Sequence, residues 1–545
     1  MPKLRLPLVV QNSTRNPSAS YATYPDTDSR MINCYITSMI AADGKKKVGL
    51  TMRPGFSTDT VRYATATTGT GRGVFSIDQG TTTWNVVDGI LYENTTSRAT
   101  GLTNNLTQPV DWTRINIQST GNYEGCVGDG DVAFLFKSGS AATQITNANF
   151  PSDNITNPVF FSNYLFVGDL DTNRIYNSSL SDPTTWSALG YVTPTAFGDM
   201  VRGLWVYNHY LAVFKEYTIE FYEDKGTTPS PLALIKPALQ HFGCLHRHTI
   251  KEVDGDIIFL SNDTGKRKRV SVLTNNFQIK HISTPWVEQV IQGISDTEIA
   301  LNRAELLTVE SQTFYVLTVK NAFNSALITL VYDFDEGQWY HWTSTEFTDN
   351  IIPIGGVLNV PTIGMTWQNR QNGKVYSSAF NDHWDGDTST GDSVIMQVLT
   401  PKLDMNNSDI KYLNSVELVH SPKANKSPGS DGTGITYDRL PTTYITWSKD
   451  DYSIGDDNNW SGPSAGTGNT QGRKVADEAT TWTVLNGRYK RMRCFRGGYF
   501  RRIAFRITQS LSKSTGSRGI PIWEALEIDY DAGENSAQNL DKGER

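Results

Sequence analysis

Apolar residues along this chain come in short alternating runs rather than at the three-and-four spacing of a helix. The clearest run is VRGLWVYNHYLAVFKEYTIEFYED, Val201 to Asp224. Leu204 to Tyr207 is aromatic and β-branched, Asn208-His209 interrupts it, and Tyr210 to Phe214 resumes it. After a Lys215-Glu216 turn a third run extends from Tyr217 to Tyr222. Runs bounded in this way predict an antiparallel meander. The phrase repeats upstream in VFFSNYLFVGDLDTNRIYNSS, where Tyr164, Leu165 and Val167 fall in register with Tyr210, Leu211 and Val213. Strand starts at Ile90, Val132, Tyr164, Tyr210, Ile257, Phe314 and Val375 are separated by 42, 32, 46, 47, 57 and 61 residues. One antiparallel sheet per step predicts a β-propeller-like domain of several blades.

The pattern divides the chain into an N-terminal segment with docking strands (1–60), the propeller-like domain (61–400), a β-sandwich-like module (401–530) and a polar tail (531–545). In the first part Arg53-Pro54-Gly55 stops a strand, because proline lacks a donor and glycine permits positive φ. The third part has alternating strands at Leu413 to Val419, Tyr444 to Trp447, Gly498 to Ile507 and Ile522 to Tyr530. Polar loops at 421–434 and 450–472 interrupt them.

Composition supports an all-β chain, with 11% aromatic and only 19% charged residues. The net charge of -7 argues against wrapping nucleic acid by general basicity, which needs phosphate neutralisation. Cys34, Cys126, Cys244 and Cys494 have no paired spacing, which predicts reduced, partly buried thiols in a protein assembled in a cytoplasm. No apolar run is long enough for a signal-peptide core or a membrane span, so a soluble chain with no membrane insertion is expected.

Candidate chemistry is sparse. Cys244, His246 and His248 alternate, so on a strand they would face one way, yet such ligands converge on zinc only with help from elsewhere. Asp169, Asp171 and Asn173 open like a calcium loop, but Arg174 and Leu180 stand where that loop needs Gly and Glu, so a hairpin turn is expected. Ser76, Asp78, Gly80, Thr83 and Trp84 resemble the Asp-box turn of sialidase-like propellers with one extra residue. No nucleophile elbow, phosphate loop or acid/base pair stands out, and no catalytic residue, metal or cofactor is expected. Arg488, Lys490, Arg491, Arg493, Arg496, Arg501, Arg502 and Arg506 form a dense basic cluster on an otherwise acidic chain. Arginine suits bidentate pairing with carboxylates or phosphates, which marks these residues as candidates for a subunit interface or DNA contact.

The order of features resembles a family. Asn33-Cys34-Tyr35 and Arg53-Pro54-Gly55 come first, then TIEFYEDKGTTPSPLALIKP with Gly243 soon after, a WSKDDYSIGD loop, GRYKRMRCFRGGYFRRIAFRI and a terminal IPIWEALEID. Together these resemble the packaged-DNA stabilisation, or tail-hub and nozzle, proteins of short-tailed bacteriophages. The resemblance implies a virion-tail protein, assembled in the host cytoplasm, that forms a homohexameric ring below the portal and adaptor. Its partners would be those connectors, tail fibres or spikes, and packaged double-stranded DNA that it retains and then conducts. A carbohydrate-binding or glycan-hydrolysing propeller and a receptor-binding tail protein are the rival readings.

Overall fold

In the computed structural model, Val201–Tyr207, Tyr210–Lys215 and Ile219–Asp224 pair antiparallel, and Leu232–Leu234 adds a fourth strand. The structure describes 3–8, 31–40, 46–58, 69–422, 442–449, 473–474, 491–510 and 521–532, apart from 78–81, 105–107, 117–120, 152, 295, 310, 321–326, 345–356, 361–363, 371, 379–383, 387–391, 401–402 and 406–408. Asn208, at φ 53°, makes the first turn of the meander, a left-handed conformation that asparagine tolerates.

Sheets of this kind recur seven times among the described residues. Blades I to VI lie at 71–100, 111–144, 159–192, 201–234, 243–281 and 303–342. Blade VII combines Val357–Val360, Gly364–Gln368 and Val375–Ser378 with Ser57–Thr58 from near the N-terminus. The ring closes where blade VII meets blade I: Gly71 N donates to Arg370 O at 2.8 Å, and Gly73 N to Gln368 Oε1 at 2.7 Å. Apolar clusters fill the gaps between blades, as sheet packing requires. Trp84, Val127 and Phe136 lie between blades I and II, and Cys126, Leu165 and Trp186 between II and III. Gly243 needs its missing side chain, because a Cβ there would stand 2.3 Å from the Glu216–Tyr217 peptide.

Both ends of the chain build the remaining sheets. One runs Cys34–Ile40, Lys46–Met52, Pro521–Ala532, Lys411–Pro422, Arg491–Phe500, with Lys3–Pro7 also on Pro521–Ala532. The other extends blade VI through Met31–Ile32 to Met396–Leu399, Ile503–Ser510, Thr442–Lys449 and Arg473–Lys474. Ile503, Phe505 and Ile507 alternate inward on their strand and join Leu50, Val416, Trp523 and Ile528 in one buried cluster. That cluster continues into blade VI through Phe314, Val316 and Trp342. The strands within 1–60 therefore pair into these sheets and blade VII rather than standing apart.

Pro285–Gln292 is the α-helix among the described residues, capped by Thr284 and packed by Val287, Val290 and Ile291 against blades V and VI. It is too short to cross a membrane.

Asp333 closes a tight turn in blade VI. It is fully buried, and its Oδ1 accepts from Asp335 N at 3.0 Å and Glu336 N at 3.2 Å. Burial pushes its carboxyl up to about 6. A folded-state value above the unfolded one means that the native state holds the extra proton between about pH 4 and 6. Its contribution to stability is therefore full below pH 4 and lost as pH rises through 6. Over that range wild type is expected to lose on the order of 2–3 kcal/mol relative to Asp333→Asn. Urea unfolding of both proteins at pH 4.5 and 7 measures the difference, and parallel pH profiles would refute it.

Candidate functional site

The described part of the basic cluster lies on two consecutive strands that belong to different C-terminal sheets and on the turn between them. Arg488 and Lys490 lie outside the described residues. Arg491, Arg493 and Arg496 fall on Arg491–Phe500, the terminal strand of its sheet among the described residues, with Arg491 opposite Val419 and Arg493 opposite Glu417. Arg501 and Arg502 are exposed at the turn, beside Tyr499, whose ring meets Tyr412 at 5.0 Å. Arg506 is half-buried on the next strand, where its Nε donates to Thr446 Oγ1 at 3.3 Å.

A second charged constellation lines the propeller axis, built from early residues of blades II, V and VI. Asp111 opens blade II, and Arg247 and His248 occupy a 3-10 turn in blade V. Lys251 follows that turn, and Arg303 and Glu305 open blade VI. Arg247 Nε lies 2.7 Å from Asp111 Oδ2, His248 Nε2 lies 3.1 Å from Asp111 Oδ1, and Lys251 Nζ lies 2.8 Å from Glu305 Oε2. Burial alone would push the Asp111 carboxyl up; Arg247 and His248 overcome this and hold it well below the usual carboxylate range. Burial pushes both His246 and His248 down, more strongly for His246, so both imidazoles are neutral at pH 7.

These side chains surround a cavity of about 230 Å³, also lined by Val74, Phe75, Val110, Trp112, Trp205 and Ile250. A neighbouring cavity of about 420 Å³ shares Arg247 and is lined by Asp129, Arg202, Glu216 and His246. Volumes of this size hold small molecules, not a nucleic-acid duplex.

The expectation that Cys244, His246 and His248 share one strand face fails, because the strand ends at Cys244 and the chain turns into the 3-10 segment Arg247–Thr249. Cys34, Cys126 and Cys244 are buried and unpaired, and burial pushes the Cys244 thiol up to about 12. Asp169 forms a hairpin turn by accepting from Asp171 N and Thr172 N. In the Asp-box-like hairpin, Asp78 and Gly80 lie outside the described residues, and Trp84 is fully buried, 4.4 Å from Phe136.

The basic stretch and the axial cluster were not equally visible in sequence. The basic residues form one dense run, whereas Asp111, Trp112, Arg247, Lys251, Arg303 and Glu305 are spread over nearly two hundred residues. The available signal was charge on the opening strand of a repeat, as in DWTR at 111 and RAE at 303.

A closed ring of four-stranded antiparallel sheets defines a β-propeller protein. Residues 42–349 match the phage-stabilisation family described as "Bacteriophage P22 Gp10, beta-propeller", and the chain belongs to that family. Curated protein sequences give no match. Among solved structures, a streptogramin B lyase shares 10% identity at a TM-score of 0.38, over 63% of this chain and 97% of that one. Virginiamycin B lyase from Staphylococcus aureus shares 10% identity at a TM-score of 0.35, over 63% and 98%. Overlaps this low do not bear on activity.

Proposed function

We propose that this chain is a structural virion protein, the tail hub or nozzle below the portal and adaptor, which retains packaged double-stranded DNA and conducts it during ejection. The observation that carries this reading is the match to the phage-stabilisation family over 42–349. Because the axial cavities of one propeller are far too small for a duplex, the DNA path is a lumen enclosed by several copies, with six as the family resemblance implies. The working division of labour is a propeller body and a sandwich-like module that docks neighbours. The loops at 421–434 and 450–472 are assigned to fibre attachment or the tail tip. In this reading the protein assembles in the host cytoplasm and performs no catalysis.

Electron microscopy of the purified chain with its connector proteins tests the reading. A ring with an open channel wide enough for duplex DNA is the expected result. A chain that stays single in the presence of connector would reject it and make glycan binding the next assay.

Ring closure needs head-to-tail contacts between unlike surfaces. The terminal strand Arg491–Phe500 and the exposed Arg501 and Arg502 are proposed to supply one of them against carboxylates of the next copy. Replacing Arg491, Arg493, Arg501 and Arg502 with glutamine is expected to abolish rings in sedimentation velocity while leaving the unfolding midpoint nearly unchanged. Normal rings would reject the assignment.

A further inference from the structure

The most exposed large apolar side chain among the described residues is Tyr499, at 70%. It stands near the end of the strand Arg491–Phe500, where successive side chains take opposite faces of the sheet. Phe500 and Leu413 point into the core, whereas Tyr499 and its cross-strand partner Tyr412 take the other face. Their rings meet edge-on, 5.0 Å apart at 68°, a contact that uses one side of the Tyr499 ring and leaves the rest in water. Ile410, also exposed, immediately precedes the strand that carries Tyr412. Arg501 and Arg502 follow Tyr499 in the exposed turn. The result is an aromatic and aliphatic patch with a cationic border. Tyrosine and arginine in this arrangement are the residues enriched at the centres of protein interfaces.

Charge identifies the partner. The stretch 488–506 holds eight cations and no acidic residue, so all 56 Asp and Glu of the chain lie outside it. The remaining surface of a second copy is therefore complementary in sign to this patch. The patch is not complementary to itself, because two of them face to face would set arginine against arginine. A contact through Tyr499 is thus head-to-tail, and it leads to a ring or a filament and not to a two-fold dimer.

We propose that Tyr499 is the aromatic anchor of the contact between copies, its ring buried against an acidic surface of the next copy while Arg501 and Arg502 pair around it. The inference rests on the ring proposed above and names the side chain that holds it. The ring face supplies apolar burial, and the arginines supply orientation and choice of partner.

Sedimentation velocity of the full chain, wild type against Tyr499→Ser and Tyr499→Phe, tests it. Tyr499→Ser is expected to weaken association at least about tenfold, and Tyr499→Phe, which keeps the ring, by less than about threefold. Because Tyr499 is exposed in the single chain, neither substitution is expected to move the unfolding midpoint. Equal association of wild type and Tyr499→Ser overturns the anchor while leaving the tail-hub reading intact. A wild-type chain that stays single even with its connector proteins overturns both. A Tyr499→Ser chain that associates normally but unfolds earlier would show that the ring serves only its own sheet, and one that associates normally but loses affinity for duplex DNA would assign the patch to nucleic acid; either result rejects the proposal.

Discussion

Asp385→Ala is expected to destabilise the fold by about 3–5 kcal/mol, because it strands a guanidinium that has no route to water. The Arg53 side chain is 0% exposed. Its Nη1 lies 3.0 Å from Asp385 Oδ1 and its Nη2 2.5 Å from Oδ2, a bidentate pair. The same guanidinium donates to Asn33 Oδ1, Pro54 O and Thr343 O, each at 2.9 Å. Asp385 in turn accepts from Phe56 N at 3.2 Å, one residue before the strand Ser57–Thr58 that completes blade VII. The pair therefore fastens the N-terminal segment, the end of blade VI and the chain beyond blade VII at the point of ring closure. Urea unfolding gives the stability change, and amide exchange at Ser57, Thr58, Tyr376 and Ser377 is expected to accelerate first. The double replacement Arg53→Met, Asp385→Leu is expected to recover much of the loss, since no unpaired charge remains buried. A loss below about 1 kcal/mol for Asp385→Ala would refute the account.

This junction shows what the sequence could and could not reveal. Asn33-Cys34-Tyr35 and Arg53-Pro54-Gly55 stood out as family-like phrases, but local pattern gave Arg53 only a strand-stopping context. Its partner lies 332 residues away, and pairing over that distance leaves no local trace. The blades were legible for a different reason. A strand half-buried against its neighbours must alternate, so each repeat left at least one recognisable start. The seven marks from Ile90 to Val375 all fall at or beside strands of different sheets. They were not in phase, however: Ile90 and Val375 begin third strands, whereas Tyr164 and Tyr210 begin second strands. That slip accounts for part of the uneven spacing. The closing strand Ser57–Thr58 was invisible, since two residues carry no periodicity. The axial cluster was hidden for the same geometrical reason as Asp385, because ring closure and not chain proximity brings Asp111 to Arg247.

Lys215→Met is expected to cost about 3–5 kcal/mol at pH 7, with a pH dependence that separates it from a simple packing defect. In the sequence Lys215 reads as half of a polar turn, but its side chain is 0% exposed, with Nζ 2.9 Å from both Asp199 Oδ1 and Glu220 Oε1. Nζ also donates to Phe197 O. The two carboxylates have further donors: Tyr217 N at 2.8 Å for Asp199, and the Tyr222 hydroxyl at 2.8 Å for Glu220. Burial, reinforced by Glu220, pushes the Tyr222 phenol up, so that hydroxyl remains a donor. Removing the ammonium leaves two buried carboxylates facing one emptied point, a like-charge pair in which at least one must protonate. In the variant the folded-state value of that group then lies above its unfolded value. Its stability is retained at low pH and lost as pH rises through the new value. The penalty relative to wild type is therefore expected to be smaller at pH 5 than at pH 7. Adding Glu220→Gln to Lys215→Met removes one of the two charges and is expected to restore part of the stability at pH 7. Unfolding of the three proteins at both pH values decides it. A penalty independent of pH, or no gain from the second substitution, would mean that Lys215 acts through its packing and not through its charge.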